Sequence, residues 1–238
     1  ILFSNDAFGQ HYASSQRFAD ECDPCELWQE AAKYYANILT PYSARVTAKV
    51  KEFAALNWPI EMICPSHGVL WRKDPMQIVN QYLDWASGKA DNSVVVAFDT
   101  IWHGTEKMAR AICRGLEAEG VVYRLYNVGG SDFNDIMTEI LKSRGVLIGG
   151  PTLNNNLMPT LTPVLESIRG LRFINKIGAA FGTYGWSGEG VKRIEEFLEA
   201  GGIKIVQVGY RVNYAPTDED LAQCEQFGRQ FAKQVKAL

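Results

Sequence analysis

The sequence has no apolar run of the length a membrane-spanning helix requires, so no such span is expected. Nor is there a basic surplus. With 24 Lys and Arg against 27 Asp and Glu the net charge is −3, which argues against nucleic acid or an anionic membrane surface as a partner. Cysteine is sparse and odd in number: five residues, at 22, 25, 64, 113 and 224, do not form a disulfide framework and fit a reducing, cytoplasmic setting. Cys22-Asp23-Pro24-Cys25 matches C-x-x-C, but it lacks a second pair or a histidine pair at zinc spacing and does not open a βαβ unit, so it reads as incidental. Neither the Gly-Lys-Ser/Thr loop of nucleotide hydrolases nor G-x-G-x-x-G is present. No internal repeat or low-complexity tract appears. The chain opens on Ile1-Leu2-Phe3-Ser4, with no initiator Met or signal peptide, in what reads as the middle of a strand. The expectation is a fragment, a processed form or one piece of a longer chain.

What is present describes a globular protein. The 238 residues are 47% hydrophobic and 21% charged, enough for a real core and for one large or two ordinary domains. From Ser93 onward strands and helices alternate. Short apolar, β-branched strands read near 93–98, 121–126, 145–149, 176–181 and 203–209, as strands covered on both faces must. Helices read near 105–118, 133–143, 159–168, 188–200 and 218–236. Five such units with right-handed crossovers predict an α/β fold, a flavodoxin-like doubly wound parallel sheet of order 2-1-3-4-5 over residues 91–238.

Three loops follow strands of that sheet. Thr100-Ile101-Trp102-His103-Gly104-Thr105 runs into a helix. Its hydroxyls, its glycine and the free N–H groups of the helix start can hold a phosphate without a cationic side chain. The next strand end carries Pro151-Thr152-Leu153-Asn154-Asn155, and a third carries Ala180-Phe181-Gly182-Thr183-Tyr184-Gly185-Trp186. In an open α/β sheet ligands sit outside the carboxyl ends of the strands, so the three loops converge on one crevice. Trp102, Tyr184 and Trp186 offer flat faces for a planar ring system, and the stretches around Asn154 and Thr183 offer polar groups for its edge. One phosphate and one planar tricycle predict flavin mononucleotide, FMN.

Residues 1–90 have another texture. A strand and polar turn, Ile1 to Gln10, precede an acidic stretch, Phe18 to Cys25, that reads as poorly structured. Helices are predicted over Glu26–Leu39, Ser43–Ala55 and Met76–Trp85, with an apolar stretch at Ile60–Cys64 ending in Pro65-Ser66-His67-Gly68. Ser87 to Asn92 has linker composition. Trp28, Tyr34, Tyr35, Tyr42 and Phe53 have little sheet of their own to cover and are expected to pack against something further. Asp6 and His67 stand at strand ends as candidate metal ligands, although two ligands alone hold a transition metal poorly.

These residues resemble the flavodiiron proteins. Phe3-Ser4-Asn5-Asp6-Ala7-Phe8-Gly9-Gln10-His11 is similar to that family's bridging-aspartate motif, Tyr34-Tyr35-Ala36-Asn37-Ile38-Leu39 to the helix beside its metal pocket, and Ser66-His67-Gly68 with Trp71-Arg72 to its last histidine ligand. Asp99 to Ala109 resembles its flavin phosphate loop, and Phe181 to Gly188 its ring loop. The resemblance extends over essentially the whole chain. It implies that residues 1–90 are the C-terminal part of a metallo-β-lactamase-like αββα domain holding two irons, and that the remainder holds FMN. Asp6 would bridge the irons, His67 would bind one of them, and His11 and a tyrosine at 34 or 35 (Tyr35 is taken) would assist beside the metals. The other family ligands, including an H-x-E-x-D-H motif, have no counterpart here and are expected upstream.

The implied activity is an oxidoreductase passing electrons from FMN to a non-haem diiron centre that reduces dioxygen to water or nitric oxide to nitrous oxide. Rubredoxin or another small electron donor, the missing N-terminal segment, and a head-to-tail homodimer or homotetramer are the implied partners. Two other classes compete. An FMN electron carrier without diiron chemistry would hold no iron, and a metal-dependent hydrolase would hold zinc and need no flavin.

Overall fold

A computed structural model describes residues 1–238, which form two compact units, Ile1–Lys89 and Ala90–Leu238. The smaller unit contains β1 (Leu2–Asn5), α1 (Pro24–Tyr34), α2 (Ser43–Ala54), β2 (Ile63–Pro65) and α3 (Met76–Ala86). β1 and β2 pair in parallel, with Leu2 opposite Ile63 and Phe3 opposite Cys64. Asp23 caps α1 by accepting from the Glu26 N–H, and Pro24 occupies the first helical position, where its missing N–H costs nothing. The helix predicted to Leu39 changes to a π turn over Tyr35–Leu39, just ahead of Pro41.

The aromatic residues of this unit largely satisfy one another. Tyr35, Trp71 and Tyr82 are fully buried, with Tyr35 at 4.9 Å from the Tyr82 ring and 5.1 Å from Trp85, and Trp28 at 5.4 Å from Trp71. Tyr42 alone of the five singled out is strongly exposed. The acidic stretch 18–25 is structured, contrary to expectation. Phe18 bridges to Leu70, and the Arg72 guanidinium lies 3.7 Å over the Phe18 ring while pairing with Asp20 and Glu21 at 3.0 and 2.9 Å. The acidic residues that made the stretch look solvated are the arginine's partners.

The larger unit is a three-layer α/β sandwich. Its elements are β3 (Asp91–Phe98), α4 (Gly104–Ala118), β4 (Val122–Asn127), α5 (Phe133–Lys142), β5 (Ser143–Gly149), α6 (Thr162–Leu171), β6 (Ile177–Tyr184), α7 (Gly190–Ala200), β7 (Lys204–Ile205), β8 (Tyr210–Asn213) and α8 (Asp218–Lys236). The sheet runs β4-β3-β5-β6 and then β7, all parallel, which is the order 2-1-3-4-5 expected. The fifth position is split, because β8 also pairs with β6 at its carboxyl end. Between the pieces the chain turns inward at Gly209. Its N–H is held by Glu195 Oε1 at 2.7 Å, and a side chain there would collide with Val191. The central strands are buried on both faces, and Val94, Val96, Leu147, Ala179 and Phe181 join α4 and α8 in one core.

Candidate functional site

β3, β5 and β6 end side by side, and their loops are stitched together by backbone bonds. The Asp99 N–H donates to Gly149 O at 3.0 Å, Gly150 N–H to Phe181 O at 3.1 Å, and Thr152 N–H to Thr183 O at 2.9 Å. Outside them opens a cleft of about 400 Å³, within the size range of small-ligand sites. Its walls are Ile101, Trp102, Gly104, Pro151, Thr152, Thr183, Tyr184, Gly185, Trp186, Tyr214 and Ala215. Trp102 and Trp186 are 88% and 92% exposed, an unusual state for the largest apolar side chain unless a partner covers it.

One end of the cleft is the start of α4. Gly104 packs against Thr183 and Pro216 so closely that an added Cβ would lie 3.1 Å from Thr183 Cγ2. His103 is left-handed, φ 61°, and turns the chain into the helix. The first-turn N–H groups have no acceptor inside the helix and present a partial positive charge. Glu106 sits in the same turn, but His103 Nδ1 at 2.9 Å and Arg110 at 2.8 Å engage it. The hydrogen bond with His103, then those from Arg110, hold its carboxyl below the usual range, so its charge is matched locally.

The strongest sign of a ligand is Thr100. Its Oγ1 is buried and has no hydrogen-bond partner, a state that costs about 1–3 kcal/mol unless something completes it. Its N–H is already taken by Asp99 Oδ1 at 2.7 Å, and Asp99 Oδ2 accepts from the Thr160 hydroxyl. A phosphoryl oxygen is a fitting acceptor for the orphaned hydroxyl, and the flat aromatic walls fit a flavin ring. The residues present therefore suit FMN.

The predicted residues divide. Ile101, Trp102, Gly104, Pro151, Thr152, Thr183, Tyr184, Gly185 and Trp186 line the cleft. Thr105 is buried beside it, its hydroxyl 3.1 Å from that of Thr183. Leu153 closes a tight turn on Asn156, with Asn154 and Asn155 left-handed between them; none of the three lines the cleft, though Asn155 Oδ1 accepts from the Ser187 hydroxyl at 3.1 Å, next to Trp186. Ala180 and Phe181 are fully buried strand residues, with the Phe181 ring covering Gly149, and Gly182 lies against Gly150 O. All three lie within β6, buried on one face of the sheet or the other, and none lines the crevice. Tyr214 and Ala215, which the sequence reading missed, come from the end of β8; splitting of the last strand brought them there.

In the smaller unit Asp6 and His67 follow the carboxyl ends of β1 and β2, and the parallel pairing brings them together, His67 Nε2 at 3.2 Å from Asp6 Oδ1. Gln10 fastens the two loops. It is fully buried, its Oε1 accepts from Val69 N–H at 2.8 Å, its Nε2 donates to Phe8 O at 3.0 Å, and its N–H donates to His67 O at 3.2 Å. His11 stands 5.8 Å from the His67 ring and 4.8 Å from that of Tyr34. Tyr34 is the tyrosine at this cluster. Burial, and then the charge of Asp6, raise its hydroxyl pKa, so it stays protonated. The expectation for Tyr35 is corrected: its hydroxyl meets Ser43 Oγ at 2.9 Å and its ring packs between Tyr82 and Trp85, because the next helical position points into the core. No group of three or more His, Cys, Asp or Glu able to hold a metal occurs, so the Asp6–His67 pair does not by itself make a metal site.

A doubly wound sheet with a phosphate-and-ring crevice at its switch point, on one chain with an Asp–His pair at parallel strand ends, defines a flavodoxin-type flavoprotein with an accessory unit. The chain belongs to the flavodoxin family, whose model matches residues 96–228, and over its whole length to the flavodiiron proteins. It is 46% identical over 236 residues to a nitric oxide reductase of Moorella thermoacetica, covering 99% of this chain and 59% of that protein. To an anaerobic nitric oxide reductase flavorubredoxin of Aeromonas hydrophila it is 44% identical over 236 residues, covering 98% and 48%. The solved rubredoxin oxygen:oxidoreductase of Desulfovibrio gigas is similar with a TM-score of 0.95 at 36% identity, over 99% of this chain and 59% of that one. The flavodiiron protein of Giardia intestinalis gives 0.91 at 34%, over 99% and 58%. The chain thus spans between about half and three fifths of the length of these relatives.

Proposed function

We propose that this chain carries the flavin of a flavodiiron oxidoreductase, which passes electrons from FMN to a two-iron centre and reduces nitric oxide or dioxygen. The observation that carries the reading is the orphaned Thr100 hydroxyl, one residue before the first lining residue of an aromatic-walled cleft, in a chain that also brings Asp6 to His67. Thr100 Oγ1 and the first-turn N–H groups of α4 bind the phosphate. Trp102, Tyr184 and Trp186 cover the ring and exclude water from it. The Thr152 hydroxyl accepts from Gly190 N–H at 3.0 Å, so this side chain ties the second loop to the start of α7. Bound FMN supplies transfer of electrons singly or in pairs.

Asp6 and His67 are ligands of the iron centre in this reading, with Tyr34 keeping its proton and His11 packed beside them. The chain's own residues do not complete that centre. The names of the relatives, flavorubredoxin and rubredoxin oxygen:oxidoreductase, support a rubredoxin-like electron donor. A head-to-tail homodimer and a reducing cytoplasmic setting complete the proposal; the five free cysteines agree with the latter. The test is anaerobic titration of flavin-free protein with FMN, followed by iron analysis and gas consumption on the intact protein. One FMN per chain with iron and turnover supports the reading; absence of flavin uptake refutes it.

A further inference from the structure

Tyr214 lies one residue beyond β8 and takes a left-handed backbone, φ 58°. That region is disfavoured for an aromatic residue and persists where surrounding contacts enforce it. Two contacts do so. The Tyr214 N–H donates to Tyr184 O at 2.7 Å, and its ring packs on Gly185, where an added Cβ would stand 3.1 Å from Tyr214 Cε1. The residue after Gly185 is Trp186, itself left-handed at φ 56°. Two unfavourable aromatic backbones, from different parts of the chain, thus brace one wall of the cleft, and Tyr214 also lines it.

We infer that Tyr214 is a positioning residue for the flavin ring: it holds the Tyr184–Trp186 wall in its ring-accepting shape and so sets flavin affinity and potential. This rests on the FMN reading above. The three atoms nearest the open face of Gly185 all belong to the Tyr214 ring, while Tyr184 just before it is fixed by its pairing with Asn213. The tyrosine supplies the ring contact, and its backbone supplies the bond. Phenylalanine preserves both, whereas alanine keeps the bond and loses the contact.

The experiment titrates flavin-free protein with FMN and with riboflavin, which lacks the phosphate. Tyr214→Ala is expected to weaken both flavins by a similar factor, about tenfold, and to move the bound flavin's midpoint potential. Tyr214→Phe restores affinity and potential to near the parent values. Gly185→Ala pushes on the Tyr214 ring and weakens both flavins, and it costs much less in the Tyr214→Ala background, a coupling that general destabilisation does not produce. Parent protein that binds FMN, with Tyr214→Ala within twofold of it for both flavins, overturns the inference alone, as do effects of the two substitutions that simply multiply. Parent protein that takes up neither flavin overturns the reading of the cleft and the inference with it.

Discussion

The Thr105 and Thr183 hydroxyls meet at 3.1 Å, although 78 residues separate them. The contact joins the first turn of α4 to the end of β6, so the phosphate end of the cleft and its ring wall are one built object. Thr105 is fully buried there. Glu at this position brings volume and negative charge to the helix start proposed to take the phosphate. Thr105→Glu is expected to leave protein with less than about a tenth of the parent flavin content. Unchanged FMN content, read from absorbance of the purified protein, sinks the phosphate assignment.

Thr100 offers a test with opposite signs for stability and binding. A buried hydroxyl without a partner is a cost that Thr100→Val removes at nearly constant volume. Flavin-free Thr100→Val is expected to unfold at a higher denaturant concentration than the parent. Its FMN affinity should fall about tenfold while riboflavin affinity stays level, since only FMN carries a group for that hydroxyl. If FMN binding is unaltered, the orphaned atom serves something else.

Trp186 is the most exposed aromatic side chain of the cleft. Stacking on a flavin is worth about 0.5–1.5 kcal/mol beyond the area buried, so Trp186→Ala should weaken FMN by roughly tenfold and relieve quenching of its fluorescence. The same measurements on Tyr184→Ala separate the contributions of the two residues to that wall. Affinity and quenching unmoved in both variants would falsify the assignment of the ring wall.

The fold was legible because its signals are local. β-branched runs such as Val94–Val96 and the punctuating Gly120 and Gly202, both with positive φ, specify strands and helix ends without reference to the rest of the chain. Most of the cleft was legible for a related reason: residues at strand ends go where the sheet takes them. The failures are long-range. Nothing local distinguishes Tyr34 from Tyr35; which one faces His11 depends on the helix phase set by Tyr82 and Trp85. Tyr214 entered through the break in the fifth strand, which Gly209 and Glu195 make across 14 residues. Arg72, 52 residues from Asp20, ordered a stretch whose charge read as solvated.

Asp6 and His67 lie in a different compact unit from the cleft. In the intact protein Asp6→Ala is therefore expected to lose iron and turnover while FMN stays bound at the parent level. Tyr34→Phe should keep iron and alter turnover, whereas Tyr35→Phe should lower stability by about 1 kcal/mol through the lost bond with Ser43 and leave turnover alone. Metal analysis and denaturation separate the three. Retention of full iron and gas consumption in Asp6→Ala ends its role as a ligand.

Lys176 immediately precedes β6. It is 3% exposed, and its Nζ donates to Leu141 O at 2.7 Å and Ser143 O at 2.6 Å, closing the end of α5 onto β5. Burial, and then repulsion from Arg144, push its pKa down to about 7, while Asp91 opposes the shift. The folded value lies below the unfolded one near 10.4, so the unfolded chain binds the proton first as pH falls. The stability contributed is complete above the unfolded value, declines between there and pH 7, and is flat below; the slope is at most about 1.4 kcal/mol per pH unit. Lys176→Met removes this dependence and strands two carbonyls. It should be far less stable than the parent at pH 10, with the gap narrowing steadily toward pH 7. Urea midpoints of both flavin-free proteins at pH 7, 8.5 and 10 give the gap directly, because all other titrations are common to the pair. A gap that stays constant or widens toward pH 7 means that Lys176 is protonated throughout, held as an ammonium by the two carbonyls.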